Sequence, residues 1–209
     1  DASAIESVVV YASGLHKNNM EMVSPVSVLT GEHLKNKAQA TLGETLKGIP
    51  GVNSTYFGPV ASSPIIRGMD GPRVKVMQNG LDTSDASRIG PDHATTTESL
   101  TAEQIEVLRG PVTLLYGSGA IGGVVNVVDQ RIPTSQLDEI SGAFDIRYDS
   151  ASNAQSQAFV LKGGQSGFNV HLDASNRNSD NTQTPVYSFE HEDGDHEVLT
   201  EIENTFLES

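Results

Sequence analysis

Apolar and polar positions along the chain fall into two regimes. Up to about residue 133 short apolar runs of mixed period are broken by turn formers. Val26–Thr30 (VSVLT) reads as a strand, with Thr30 placed to cap a short helix through about Lys37. Thr41 and Glu44 make a capping-box spacing for a second helix, TLGETLKG, which Gly48 and Pro50 stop. Strand signals follow at Val52–Phe57, Ser63–Arg67 and Arg73–Gln78, the last running into the turn pair Asn79-Gly80. Leu81–Thr97 (LDTSDASRIGPDHATTT) has no apolar period and predicts a long loop, of the kind that often carries function. Thr101–Gln104 predicts a helical start, Ile105–Leu108 a strand, Pro111–Tyr116 a helical turn opened by proline, and Val124–Val128 a buried strand. Strands and helices mixed over about 130 residues predict a small α+β domain.

From Ser141 the period becomes two. Phe144, Ile146 and Tyr148 alternate with Asp145, Arg147 and Asp149; Phe168, Val170, Leu172 and Ala174 alternate with Asn169, His171, Asp173 and Ser175. Each is a strand between two different surroundings. Gln157–Lys162 is a less regular strand between them, and GGQSG (Gly163–Gly167) a tight link. Three strands with short connections predict the start of a meander, found in soluble sandwiches and in outer-membrane barrels alike.

Gly117, Gly119 and Gly122 within YGSGAIGG spell the spacing of a dinucleotide loop. Such a loop follows a strand and opens a helix, so that the helix N-terminus faces the pyrophosphate. Here the glycines lead into a strand, so they are read as places where backbone passes close to backbone.

At 209 residues the chain has room for more than one unit. Its formal charge is -14, with 10 Lys+Arg against 13 Asp+Glu in residues 1–134 and 3 against 14 in residues 135–209. So acidic a tail argues against a nucleic-acid partner. The chain holds no cysteine, so disulfides and thiolate metal sites are excluded. No run of about 18 apolar residues predicts a spanning helix, and the opening DASAIES lacks the basic-then-apolar pattern of a leader. No nucleophile elbow, HExxH or P-loop is present, so no enzyme is expected.

Several segments, in order, resemble TonB-dependent outer-membrane receptors. ESVVVYA (Glu6, Ser7, Val8, Val9, Val10, Tyr11, Ala12) resembles their energy-coupling box. ATLGETLKGIPGV, PIIRGMDGPRVKVMQNGL and IEVLRGPVTLLYGSGAIGGVVNVV resemble the plug domain that fills the barrel. The resemblance implies an N-terminal arm over 1–22, an α+β plug domain over 23–134 and first barrel strands over 135–175. It also implies an acidic extracellular loop over 176–209. The strands would begin a transmembrane β-barrel, about 22-stranded in that family, so the chain is expected to be part of a longer receptor. Sides follow as well: the strand from Ser141 rises outward, GGQSG turns at the periplasm, and residues beyond about Asn176 lie outside the cell. The partner implied is TonB, pairing with residues 6–12 by strand addition, for which β-branched Val8–Val10 are suited.

GPDHATTTESL, between MQNGL and IEVLRGP, is most similar to the zinc-uptake receptors within that family. Zinc without cysteine takes His nitrogen and carboxylate oxygen, about four ligands in all, and Asp92 and His93 offer one of each. The remaining ligands are expected from barrel walls, from loops, or from EHEDGDHE, where Glu190, His191, Glu192, Asp193, Asp195, His196 and Glu197 are all able to ligate. The two histidines there are five apart, which does not stack them on one helical face, so a flexible cation-gathering loop is expected. His16, His33 and His171 are read as ordinary surface or lumen polarity. The cargo expected is Zn2+ or a related divalent metal, with a ferric siderophore or haem as the other reading, for which the aromatic and basic residues Tyr56, Phe57 and Arg88 speak.

Overall fold

The computed structural model describes residues 9–12, 25–59, 61–83, 90, 97–129, 131–133, 136–190 and 196–202, with the backbone alone for 182–190 and 196–202. In chain order the first domain contains β1 (Val26–Thr30), α1 (Gly31–Lys37), α2 (Leu42–Leu46), β2 (Val52–Ser54), β3 (Pro64–Ile66), β4 (Val74–Gln78), β5 (Leu81–Asp82), β6 (Gln104–Leu108) and β7 (Gly123–Val128). Five of the strands form one sheet in the order β1-β6-β7-β4-β5, antiparallel except for the parallel pair β4 and β7. β2 and β3 pair as a separate hairpin.

β6 and β7 are buried on both faces, which is why VVNVV lacks a clean alternation. One face of the sheet presents Leu29, Val76, Ile105, Val107, Val125 and Val127, packed under Leu34 of α1 and Leu42 and Leu46 of α2. The other presents Met77, Leu108 and Val124, covered by Val10 and Ala12 of the N-terminal arm and by Ala120.

Pro111–Tyr116 forms a 3-10 turn and Ser118–Ala120 a second, and the glycines then enter β7. A Cβ on Gly122 would lie 2.8 Å from Met69 Cβ and 3.1 Å from the Arg73 carbonyl oxygen; one on Gly123 would lie 2.7 Å from Ile66 Cδ1 and 3.0 Å from the Leu108 carbonyl oxygen. The close approach expected of Gly117, Gly119 and Gly122 is thus present at Gly122 and at Gly119, where a Cβ would lie 3.3 Å from the Pro72 carbonyl oxygen. A Cβ on Gly117 would meet nothing, and that glycine serves a positive φ of 86°.

Three local expectations fail. Thr30 precedes α1 without capping it, because its hydroxyl donates to the Glu103 carbonyl at 3.3 Å. Thr101–Gln104 is not helical: residues 99–101 turn, and Gln104 already belongs to β6, opposite Thr30 and Val128. The Thr41–Glu44 capping box does not form either. Thr41 occupies the N-cap position without a side-chain cap, because its hydroxyl is taken by the buried hydroxyl of Ser62.

β8 (Ser141–Asp149), β9 (Ala154–Gln165) and β10 (Phe168–Asn178) make an antiparallel meander in the order β10-β9-β8. β9 is longer than its apolar run predicts. It takes in Gly163 and Gly164, leaving only Ser166 and Gly167 as the turn, both with positive φ. Phe144, Ile146 and Tyr148 of β8 and Phe168, Val170 and Leu172 of β10 are exposed on one face, while Ala154, Ser156, Ala158 and Lys162 of β9 are buried on the other, against the first domain. In the acidic region, β11 (Thr182–Glu190) and β12 (His196–Ile202) pair antiparallel, so the segment read from sequence as a loop contains a hairpin.

Candidate functional site

The arm residues 9–12 lie across the second face of the sheet, where Val9 forms a β-bridge and side chains of the sheet hold several of the arm's backbone groups. On that face β6 presents Gln104, Glu106 and Leu108, and β7 presents Val124 and Asn126, with Glu106 directly opposite Asn126. Glu106 is 0% exposed. Its carboxylate accepts the backbone N–H of Tyr11 at 2.6 Å and of Ala12 at 2.8 Å, the Gln104 amide at 2.7 Å and the Asn126 amide at 3.0 Å. Gln104 also donates to the Val9 carbonyl at 2.8 Å, and the Tyr116 hydroxyl donates to the Ala12 carbonyl. Burial, and then the neighbouring Glu106 charge, push the Tyr116 phenol up from its ordinary value, which keeps it the protonated donor this contact requires. Sequence reading passed over all three side chains. The available signal was a glutamate on the inner face of an otherwise apolar strand, IEVL.

Of the other residues singled out from the sequence, Glu6, Ser7 and Val8 lie outside the described residues, as do Asp92, His93, His191, Glu192, Asp193 and Asp195. His196 and Glu197 open β12, opposite Glu190 and Phe189. Among the described residues no group of three or more His, Asp and Glu is arranged to hold a metal ion.

The two feet of the segment carrying Asp92 and His93 are described. At the first, Lys75 pairs with Asp82 at 2.8 Å, and the Thr83 hydroxyl donates to the Val76 carbonyl at 3.2 Å. At the second, Thr97 and Ser99 are buried, the Ser99 hydroxyl donates to the Gln39 carbonyl, and Glu98 pairs with Arg177 of β10 at 3.1 Å. Arg177 is ten residues along β10 from the Gly167 turn, a rise of about 33 Å.

Further polar contacts tie the domain to the meander. Arg147 donates to the carbonyls of Lys35 and Ala38, Lys162 pairs with Glu103, and Arg131 pairs with Asp173 at 2.9 Å. Arg131 leads back to Asp129, which is 2% exposed at the end of β7. Asp129 accepts from Asn79 at 2.7 Å, Gln78 at 2.7 Å and the Arg131 backbone at 3.1 Å. Burial pushes the Asp129 carboxyl up, but these hydrogen bonds and the Arg131 charge outweigh it and hold it below the usual carboxylate value. Arg109 has its own value lowered, by burial and then by the charge of Arg67.

An α+β domain tied by polar contacts to the inner face of an antiparallel wall, whose outer face is apolar, has the layout of a plugged barrel. The TonB-dependent Receptor Plug Domain family matches residues 18–124. The chain belongs to the TonB-dependent receptors. Its seat is thus the bacterial outer membrane, with the plug facing the periplasm, and the exposed apolar side chains of β8 and β10 face lipid.

Among curated relatives of this receptor chain is the vitamin B12 transporter BtuB of Photobacterium profundum, 30% identical over 142 residues, which are 68% of this chain and 23% of the relative. Among solved structures, the siderophore receptor PirA from Pseudomonas aeruginosa superposes with a TM-score of 0.56 at 29% identity, covering 77% of this chain and 30% of the other. The copper transporter OprC superposes with a TM-score of 0.61 at 20% identity, covering 76% and 24%, a likeness of fold alone. The chain spans between about a quarter and a third of the length of these relatives.

Proposed function

We propose that this receptor takes up zinc, or a related divalent metal, into the periplasm, with energy supplied through TonB and no catalysis. Asp92 and His93 supply a carboxylate oxygen and an imidazole nitrogen at the outer end of the plug, a donor pair suited to zinc. The observation that carries this reading is the Glu98–Arg177 pair at 3.1 Å. It fixes the foot of the Asp92–His93 segment toward the end of β10 far from the periplasmic turn, the end at which cargo arrives. The acidic stretch with Glu190, His191, Glu192, Asp193, Asp195, His196 and Glu197 gathers cations by its field, an effect that weakens with salt. Glu6–Ala12 then pairs with a strand of TonB, whose pull displaces the plug.

A second cargo, a ferric siderophore or haem, is favoured by one observation. Tyr56 and Phe57 stand exposed in the β2–β3 loop, where an aromatic surface for an organic chelate would be placed. Arg88, the basic member of that set, lies outside the described residues.

Zinc titration by calorimetry separates the two, using the complete receptor in detergent, wild type against Asp92→Ala/His93→Ala, with a ferric siderophore as control. The double change is expected to weaken saturable zinc binding by more than the about 10- to 100-fold that follows loss of an outer-shell partner. Unchanged zinc binding would move the site to Glu190–Glu197 or the barrel, and binding of the ferric control alone would end the zinc reading.

A further inference from the structure

A fully buried carboxylate with four donors has no need of arm backbone to fold the sheet: Gln104 and Asn126, its neighbours on β6 and β7, already supply two. Its remaining acceptor capacity is spent on two successive N–H groups of a segment about 95 residues away in sequence. Gln104 and Tyr116 take the Val9 and Ala12 carbonyls on either side, and Val10 between them is 0% exposed, seated on the apolar cluster of Met77, Leu108 and Val124. The set reads a backbone rather than a side chain: it holds four polar groups of residues 9–12, which turn at Tyr11 and Ala12. Strand pairing by a partner would use groups of that same kind.

We propose that Glu106 is the positioning residue of a latch that holds the coupling segment on the plug, with Gln104 and Tyr116 fixing its register. The latch competes with TonB for the segment's backbone: Tyr11 and Ala12 cannot give their N–H groups to a TonB strand while Glu106 holds them. Release leaves a buried carboxylate short of two donors, so the latch sets how readily the segment becomes available. This rests on the reading of residues 6–12 as the coupling segment.

This chain holds no cysteine, and any cysteine elsewhere in the complete receptor is replaced by serine before the test. Val10→Cys is introduced into the complete receptor in detergent, and maleimide labelling is timed without TonB, since a thiol seated in the apolar cluster reacts only when the arm lifts. Glu106→Gln replaces one acceptor oxygen by a donor that faces the arm's N–H groups. It is expected to speed labelling about 10- to 100-fold, the weight of a charge-assisted hydrogen bond. Val125→Cys, on the opposite face of β7, should stay unlabelled. Labelling of Val10→Cys at the wild-type rate overturns the proposal. If Glu106→Gln also exposes Val125→Cys, Tyr116→Phe decides, because it removes only the hydroxyl that reaches Ala12: faster labelling at Val10 supports the latch and an unchanged rate overturns it. A second arm adds the periplasmic domain of TonB, which should bind the Glu106→Gln receptor more tightly, a gain that mere damage to the plug would not give. Absence of TonB binding to wild type and variant alike would end the coupling reading and leave the labelling result standing.

Discussion

Asp129→Asn is expected to loosen the end of the plug sheet by an amount set by which oxygen is replaced. Oδ1 accepts from Asn79 and the Arg131 backbone; Oδ2 accepts from Gln78 at 2.7 Å and lies 3.2 Å from Arg131 Nε, whose hydrogen goes to Asp173. An amide nitrogen in the Oδ1 position would face the Asn79 amide, which cannot turn over, because its own oxygen accepts the Asp129 backbone N–H at 3.1 Å. In the Oδ2 position the Gln78 amide can turn to accept, and Arg131 keeps Asp173. The milder placement therefore gives up about one charge-assisted interaction, about 1.5–3 kcal/mol. Asp129→Ala leaves the Gln78 and Asn79 amides without their acceptor and should lose about 1–3 kcal/mol more.

Hydrogen exchange of the complete receptor, followed over residues 74–80 and 123–129, reads this directly. Exchange there should speed about 10- to 100-fold in Asp129→Asn near neutral pH. The carboxyl is lowered in the folded protein, so its contribution is complete above the unfolded value of about 3.9 and is lost as pH falls through the lower folded value. After correction for intrinsic exchange, the gap between wild type and variant should close below about pH 4. Rates within twofold of each other near neutrality, or a gap that widens on acidification, would refute the reasoning.

Two further outcomes are expected. Gly123→Val would drive a Cβ to within 2.7 Å of Ile66 and 3.0 Å of the Leu108 carbonyl oxygen, destabilising the plug by about 1–3 kcal/mol, measurable as a lower urea midpoint. Glu98 and Arg177, both largely buried, should show a coupling of about 0.5–1.5 kcal/mol in a double-mutant cycle on plug stability; additive single changes would mean that the pair does not anchor the foot of the segment.

What the sequence disclosed about this fold was whatever depends on neighbours in the chain. Period-two alternation marked β8 and β10, and the close approach at Gly119 and Gly122, though not at Gly117, was legible because it follows from the order of the elements around them. The misreadings share the opposite cause. Thr41 has a good capping box beside it, yet Ser62, 21 residues on, takes its hydroxyl. Gln104 sits in a helix-like TAEQ, yet pairing with β1 and β7 makes it the first residue of a strand. Gly163 and Gly164 look like a turn, but the strand continues because a chain passes over them: a Cβ on Gly164 would lie 2.7 Å from the Leu137 carbonyl oxygen. Asp92 and His93, singled out through their neighbours PDHA, lie outside the described residues, whereas Glu106 was hidden because its partners are backbone groups 94 and 95 residues distant.

The two faces of the plug sheet follow different rules, and that difference bears on coupling. The face under α1 and α2 has an apolar centre, with Ser27 on β1 and Gln78 on β4 to either side, so parting it exposes hydrocarbon and would disrupt the fold itself. The face under the arm carries Glu106 and Asn126 amid its apolar residues, so the arm is held in large part by hydrogen bonds, and water or another strand can replace those. An arm held only by apolar packing would offer a partner's backbone nothing to exchange for. Held by its own N–H and C=O groups, it can be transferred to a competing strand bond by bond while the helix-covered face stays packed.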